Sequence, residues 1–282
     1  MPLDITPAPG LSAEHRRAFE EDGFFRLERA FDPDHARQME DEWWAELADK
    51  WGVVRADRST WRQPVGDMKR PKKAQSERLF ETERVRTAID GVLGEAAWDW
   101  PKHWGRAVVT MPSGKPASAW DVPERLWHWD GHLARNIERP RAVFVFALVG
   151  ELRPGGGGTL LLAGSHRLVR RRSLLLTPAQ QALGPTWLRD HLGRLSPWLR
   201  ALTGQGPGPE DRIGAFMRDG DDAEGIALRV VELTGAPGDV FVCDPLTVHC
   251  VAPNCQDRPR MMRIRMIRDR AIQSSPRPED EP

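Results

Sequence analysis

The chain has 282 residues, 40% of them apolar, with 41 basic and 41 acidic side chains. That length suits one large domain with a real core, and the balanced charge removes any global electrostatic case for nucleic acid or an anionic membrane surface. No apolar run approaches the roughly 18 residues of a membrane span, and the opening MPLDITPAPG lacks the basic-then-apolar order of a signal peptide. Three cysteines, an odd count, argue against a disulfide framework, so the protein reads as cytoplasmic and reduced.

Residues 1–10 are proline-rich and read as loose. Ser12 caps a helix expected to run to Glu21, and Asp22-Gly23 stops it. Phe24, Phe25 and Leu27 form a short strand. A second helix starts at Asp32-Pro33 and runs to Lys50, with Met39, Trp43, Trp44 and Leu47 at helical spacing. Glu81 to Leu93 reads as a third, which puts a helical region at residues 11–105.

From Arg106 the pattern changes to short β-like runs: Ala107–Met111, Leu126–Trp129, Ala142–Val149, Thr159–Ala163, Val230–Leu233, Asp239–Cys243 and Met261–Ile267. Gly and Pro clusters separate them, which predicts an antiparallel barrel or jelly roll over about 106–270. The long stretch 168–228 interrupts these runs and reads as a partly helical lid at the pocket mouth. The arginines 170–172 within it read as a solvated run. Residues 271–282 read as a disordered acidic tail. There is no internal repeat and no second domain. Twelve tryptophans with no tyrosine raise the option of a Trp-lined substrate cavity.

Chemistry concentrates in His128-Trp129-Asp130. On a strand, residues two apart share a face, so His128 and Asp130 converge while Trp129 turns away. A third ligand must come from a distant strand, and His249 is the best placed, because it follows Asp239–Cys243 and a turn at Asp244-Pro245. Two histidines and one carboxylate on one side of iron(II) leave open positions for a bidentate oxoacid and dioxygen. A zinc site built from Cys250, Cys255 and His249 is the weaker alternative, since the cysteine spacing matches no common pattern. If the oxoacid is 2-oxoglutarate, its far carboxylate needs a cation, and the planar fork of arginine suits it. Arg260 opens the next strand and shares a face with Met262, Ile264 and Met266, whereas Arg263 and Arg265 take the opposite face, expected to be wet. Arg258 has the right parity but is cut off by Pro259.

These residues sit in longer stretches that resemble the phytanoyl-CoA dioxygenase family of iron(II)/2-oxoglutarate oxygenases. The resemblance runs from Leu11-Ser12 through Phe19–Phe24 to Leu27 and Phe31, then His128-Trp129-Asp130-Gly131, and then Pro154 through Thr159 to Gly164-Ser165-His166-Arg167. It resumes at Pro237-Gly238-Asp239 and takes in His249, Asn254 and Arg260. It implies a mainly β protein with flanking helices around a double-stranded β-helix core, cupin-like in form. It further implies iron held by His128, Asp130 and His249, 2-oxoglutarate on Arg260 with help from Thr159, and a small organic substrate hydroxylated with release of succinate and carbon dioxide. His132 and Trp129 are the candidate substrate contacts, and His166 is a turn residue near the pocket. Asp130 argues against halogenation, for which related enzymes carry a small residue there. Nothing points to a protein partner. The other reading is a cupin-like barrel that binds a metal or small molecule without turnover.

Overall fold

The computed structural model describes residues 11–62, 68, 75–102, 104, 106–130, 138–181, 190–191 and 193–273. The proline-rich arm at 1–10, His132 and nearly all of the acidic tail lie outside these residues.

Helix α1 (Ala13–Asp22) starts on Ser12, whose hydroxyl accepts from the His15 amide, and ends at Gly23 in the left-handed region (φ 88). Strand β1 (Phe24–Leu27) follows. Helix α2 (Pro33–Trp51) is capped by Asp32, with proline inside its start, and α3 (Glu83–Leu93) by Thr82. The remaining strands are β2 (Arg106–Thr110), β3 (Ala142–Leu148), β4 (Thr159–Ala163), β5 (Asp221–Ala223), β6 (Ile226–Glu232), β7 (Val240–Cys243), β8 (His249–Val251) and β9 (Arg260–Arg268). They form a five-stranded sheet in the order β1-β7-β3-β9-β2 and a four-stranded sheet in the order β5-β6-β4-β8, antiparallel throughout. This is the expected jelly-roll core with helices outside it.

Three apolar clusters divide the inside from the outside. Residues of α2 and α3, with Phe80, Trp98 and Trp104, cover one face of the larger sheet through Val143, Val145, Val240 and Val242. The alternate residues Phe146, Leu148, Phe241 and Met262 meet Leu161 and Leu233 inside the barrel. On the outer face of the smaller sheet, Leu160, Leu162 and Val248 pack with Trp127, Trp129, Leu168, Leu199 and Phe216. Burying one such Leu- or Phe-sized side chain contributes roughly 1.5–3 kcal/mol.

The structure corrects several expectations. Arg263 is not on a wet face: it is 1% exposed, with its guanidinium 5.1 Å from the Trp43 ring centre. α2 covers that face, and the aromatic surface partners the cation. The fully buried tryptophans, Trp43, Trp98, Trp104 and Trp127, fill the two outer clusters, not a cavity inside the barrel. Leu126–Trp129 is not a strand: a single antiparallel bridge joins His128 to His249, and Leu126 stands in the left-handed region (φ 68). Gly164-Ser165-His166 opens helix α4 (Ser165–Ser173), and Arg170 within it is buried against Asp244, not solvated. A short helix, Arg270–Gln273, stands where the tail was expected to begin. The described part of 168–228 includes helix α5 (Pro197–Leu202), and its Leu168, Val169, Leu199, Leu202 and Phe216 are core residues. No helix among the described residues is long and apolar enough to cross a membrane.

Candidate metal centre

The bridge between His128 and His249 is closed by both amides, His128 N to His249 O at 2.9 Å and His249 N to His128 O at 2.7 Å. It sets the two imidazoles side by side, with ring centres 4.3 Å apart. Each ring is oriented in the same way. The Nδ1 of His128 lies 2.7 Å from the Leu126 carbonyl, and that of His249 lies 3.0 Å from the Thr247 carbonyl. A carbonyl only accepts, so both Nδ1 atoms carry hydrogen and both Nε2 atoms are turned to the site, where each would give up any proton it holds to bind a metal. Asp130 lies between the two Nε2 atoms, with Oδ1 3.8 Å from His128 Nε2 and Oδ2 3.2 Å from His249 Nε2. Burial pushes the Asp130 carboxyl upward, but the hydrogen bond and charge of His249 and the charge of His128 outweigh it and hold the group below the ordinary range.

One potential donor atom from each of the three residues lies within 4.8 Å of the others. His249 is 11% exposed at its side chain, His128 44% and Asp130 40%, so the cluster is anchored on one side and open on the other. Neutral imidazole nitrogens and one ionised carboxylate are the donor set that iron(II) takes in a facial arrangement, and the residues present fit that ion. The three cysteines are buried and free, and the Cys250 thiol is turned onto the Arg125 carbonyl, so the zinc alternative gains nothing.

Arg260 starts β9 on the inner face and is 3% exposed. Its Nη1 donates to Gly157 O at 2.6 Å and its Nη2 to Thr110 Oγ1 at 2.7 Å, while Nε has no partner among the described residues. Burial pushes the guanidinium down to about 10, with Glu232 acting the other way, so it remains a cation at neutral pH. Strand β4 links it to the metal cluster. Gly157 precedes Thr159, which pairs with Val251, and Leu161 pairs with His249. Thr159 is buried and shares the inner face with Leu161.

The glycine run before β4 is packed too closely for side chains. A Cβ on Gly158 would lie 2.4 Å from Leu233 O, and one on Gly157 would lie 2.9 Å from the Asn254 Cβ. The Glu232 carboxylate holds this run by accepting from the amides of Gly155 and Gly158. Asn254 ties its other side, donating to the carbonyls of Thr110 and Arg258. Thr110 and Glu232 were not singled out in the sequence. The register across β2, β9 and β3 would have brought out Thr110, since it pairs with Arg260. Arg258 lies outside: its side chain is 48% exposed and its Nη1 is 2.7 Å from Glu151. Trp129 is corrected as a substrate contact, since its ring is 4% exposed and packs in the outer cluster, away from the triad.

Beside His249 a narrow cleft of about 10 Å³ is lined by Phe144, Phe146, Leu161, Cys243, Asp244, Pro245 and Thr247. Its polar groups are engaged: Asp244 with Arg170 and the Leu246 amide, and the Thr247 hydroxyl with Gly23 O. Phe144 is partly exposed, with its ring centre 6.2 Å from that of His249. In register with it across the sheet stand Phe24, Cys243 and Met266, an apolar row on the inner wall.

In sequence, the chain matches no family model and no curated protein. In architecture it is similar to the crystal structure of EctD from S. alaskensis with 2-oxoglutarate and 5-hydroxyectoine, at a TM-score of 0.55 and 17% identity over 96% of this chain and 82% of that one. It is similar to EctD from S. alaskensis with bound Fe, at 0.53 and 19% over 95% and 82%. AviO1 from Streptomyces viridochromogenes Tue57 aligns at 0.55 and 18% over 96% of this chain and 100% of that one. At these identities the likeness establishes the fold.

Proposed function

We propose that this protein is an iron(II)- and 2-oxoglutarate-dependent oxygenase that hydroxylates a small organic substrate. The observation that carries this reading is the pair of imidazoles held by backbone carbonyls so that both Nε2 atoms face one carboxylate. A buried arginine further along the same barrel wall supports it. Iron(II) with 2-oxoglutarate and dioxygen would supply the oxidation: one oxygen atom goes to a substrate C–H bond and the other to succinate, as carbon dioxide leaves. His128, Asp130 and His249 would hold the metal, and Arg260 the far carboxylate of the cosubstrate. The Leu126 and Thr247 carbonyls keep the imidazoles oriented and in one tautomer. The inner wall at Phe144 excludes water and offers an apolar surface, so the part of the substrate that reaches the metal is a neutral hydrocarbon group. EctD was crystallised with 2-oxoglutarate and with Fe, which agrees with the cofactor assignment.

The test has two stages. Iron(II) and 2-oxoglutarate added without oxygen should give the weak visible charge-transfer band of their joint complex. A screen of neutral and charged small molecules, read by succinate formation, should then favour compounds presenting an apolar C–H group. A protein that gives no band and makes no succinate with any compound would point to the non-catalytic barrel.

A further inference from the structure

Each histidine of the triad is oriented by a carbonyl two residues before it, so the turns that carry those carbonyls decide where the metal donors stand. Both turns lean on the long segment that connects β4 to β6. We propose that this segment is a two-armed positioning brace for the metal site, acting through Arg212 on the loop before His128 and through Arg170 on the turn before His249. The proposal rests on the metal assignment above and adds residues that this assignment does not include.

The Arg212 arm is the more extensive. The side chain is buried, and its guanidinium donates to four backbone carbonyls: Val122 at 2.8 Å, Ala201 at 3.2 Å, Leu202 at 3.2 Å and Pro123 at 3.3 Å. Ala201 and Leu202 close the C-terminus of α5, where carbonyls have no intrahelical partner. Val122 and Pro123 start the loop that delivers His128. The Phe216 ring, on a single π-helical stretch, lies 4.7 Å from the guanidinium carbon. Only arginine has enough donors in one plane to join two segments in this way. Pro123 O also accepts from Trp127 Nε1 at 2.9 Å, and Arg125 O from the Cys250 thiol. The loop is therefore pinned at Val122, Pro123 and Arg125, which leaves the left-handed Leu126 to present its carbonyl to His128.

The Arg170 arm is shorter. Its Nη2 lies 2.5 Å from Asp244 Oδ2, in a pair with both side chains buried. The other carboxylate oxygen accepts from the Leu246 amide, and the Asp244 carbonyl accepts from Thr247 N. Thr247 then offers its carbonyl to His249 Nδ1. Ser165, also on α4, accepts from Val248 N at 2.9 Å through its hydroxyl. Breaking either arm leaves buried groups unpaired and frees a turn to shift, so the site would lose its preset donor geometry.

The experiment is anaerobic titration of the full chain with iron(II), alongside urea unfolding of the metal-free protein. Arg212→Met should weaken iron binding about ten- to hundred-fold, the range for residues behind metal ligands. Arg212→Lys should recover part of this, and Trp127→Phe, which removes one bond to Pro123 O, should show a smaller loss. Arg170→Met should weaken binding through His249, whereas Arg218→Ala, an exposed residue of the same segment paired with Asp211, should bind iron as the parent does. Should Arg212→Met fail to fold, Arg212→Lys and Trp127→Phe decide the matter. The brace is overturned if the folded Arg212 and Trp127 variants lose stability to urea yet keep the parent's iron affinity. That result differs from failure of the metal assignment, in which the parent itself would not bind iron(II).

Discussion

Replacing Arg260 by alanine removes a cation that the barrel has taken out of water and whose Nε has no partner among the described residues. If the far carboxylate of 2-oxoglutarate sits there, truncation strands a desolvated anion, a change that costs about 2–5 kcal/mol when one partner of a buried charge pair is lost. Gly157 O and Thr110 Oγ1 already accept from Nη1 and Nη2, so the cosubstrate must share or displace these bonds. The expected loss therefore lies toward the lower end, about 2–3 kcal/mol, or roughly thirty- to two-hundred-fold in Kd. Lysine should recover only part of it, because a point charge lacks the fork. Arg258→Ala should change the constant little, since that side chain is half exposed and engaged with Glu151. The assay is the Kd of 2-oxoglutarate, measured without oxygen at saturating iron(II). Unchanged affinity in Arg260→Ala with a loss in Arg258→Ala would mean that the wrong arginine was chosen. No change in either would remove the 2-oxoglutarate assignment and leave the metal-binding barrel without turnover.

The other predictions concern the triad, the outer core and pH. His128→Ala, Asp130→Ala and His249→Ala should each abolish succinate formation while far-ultraviolet circular dichroism stays that of the parent; full activity in any one removes that residue from the metal set. Trp129→Ala should cost stability on the order of 3–5 kcal/mol with little change in the KM of those molecules that remain folded, since the ring packs in the outer cluster. His166 is buried with its Nε2 on Glu20 O, and burial holds its imidazole down at about 4. The unfolded chain takes up that proton below about 6.5 and the folded chain does not until about 4, so this contribution is present above pH 6.5 and lost as pH falls to 4. Metal-free protein should lose on the order of 3 kcal/mol over that window, and His166→Gln should flatten the slope; an unchanged slope would show that other groups set it.

Much of the site was legible because the inside of a barrel obeys a strict period of two. The alternation in His128-Trp129-Asp130 held even though the segment is only a bridge, and Trp129 does face away. The same parity set Arg260 on the inner face with Met262. It could not say what lies on the other side. Arg263 follows the alternation just as faithfully, but whether an outward residue meets water depends on a helix more than two hundred residues earlier in the chain, and here α2 brings Trp43 over it. Parity is a local property of one strand, whereas exposure depends on what packs on it.

The segment 168–228 shows the same limit of a local pattern. Its length and its Gly/Pro stretch suggested a loop over the pocket, yet its apolar residues are spaced to cover the outer face of the smaller sheet. Arg170, in a run of three arginines, read as a solvated charge, and Arg212 was not singled out. Each is instead buried, one on a carboxylate and the other on four carbonyls. A buried guanidinium is tolerated only where acceptors converge on it. Of those acceptors, Asp244, Val122 and Pro123 come from turns that no local pattern joins to the segment, and both of these turns lead directly into a histidine of the metal site.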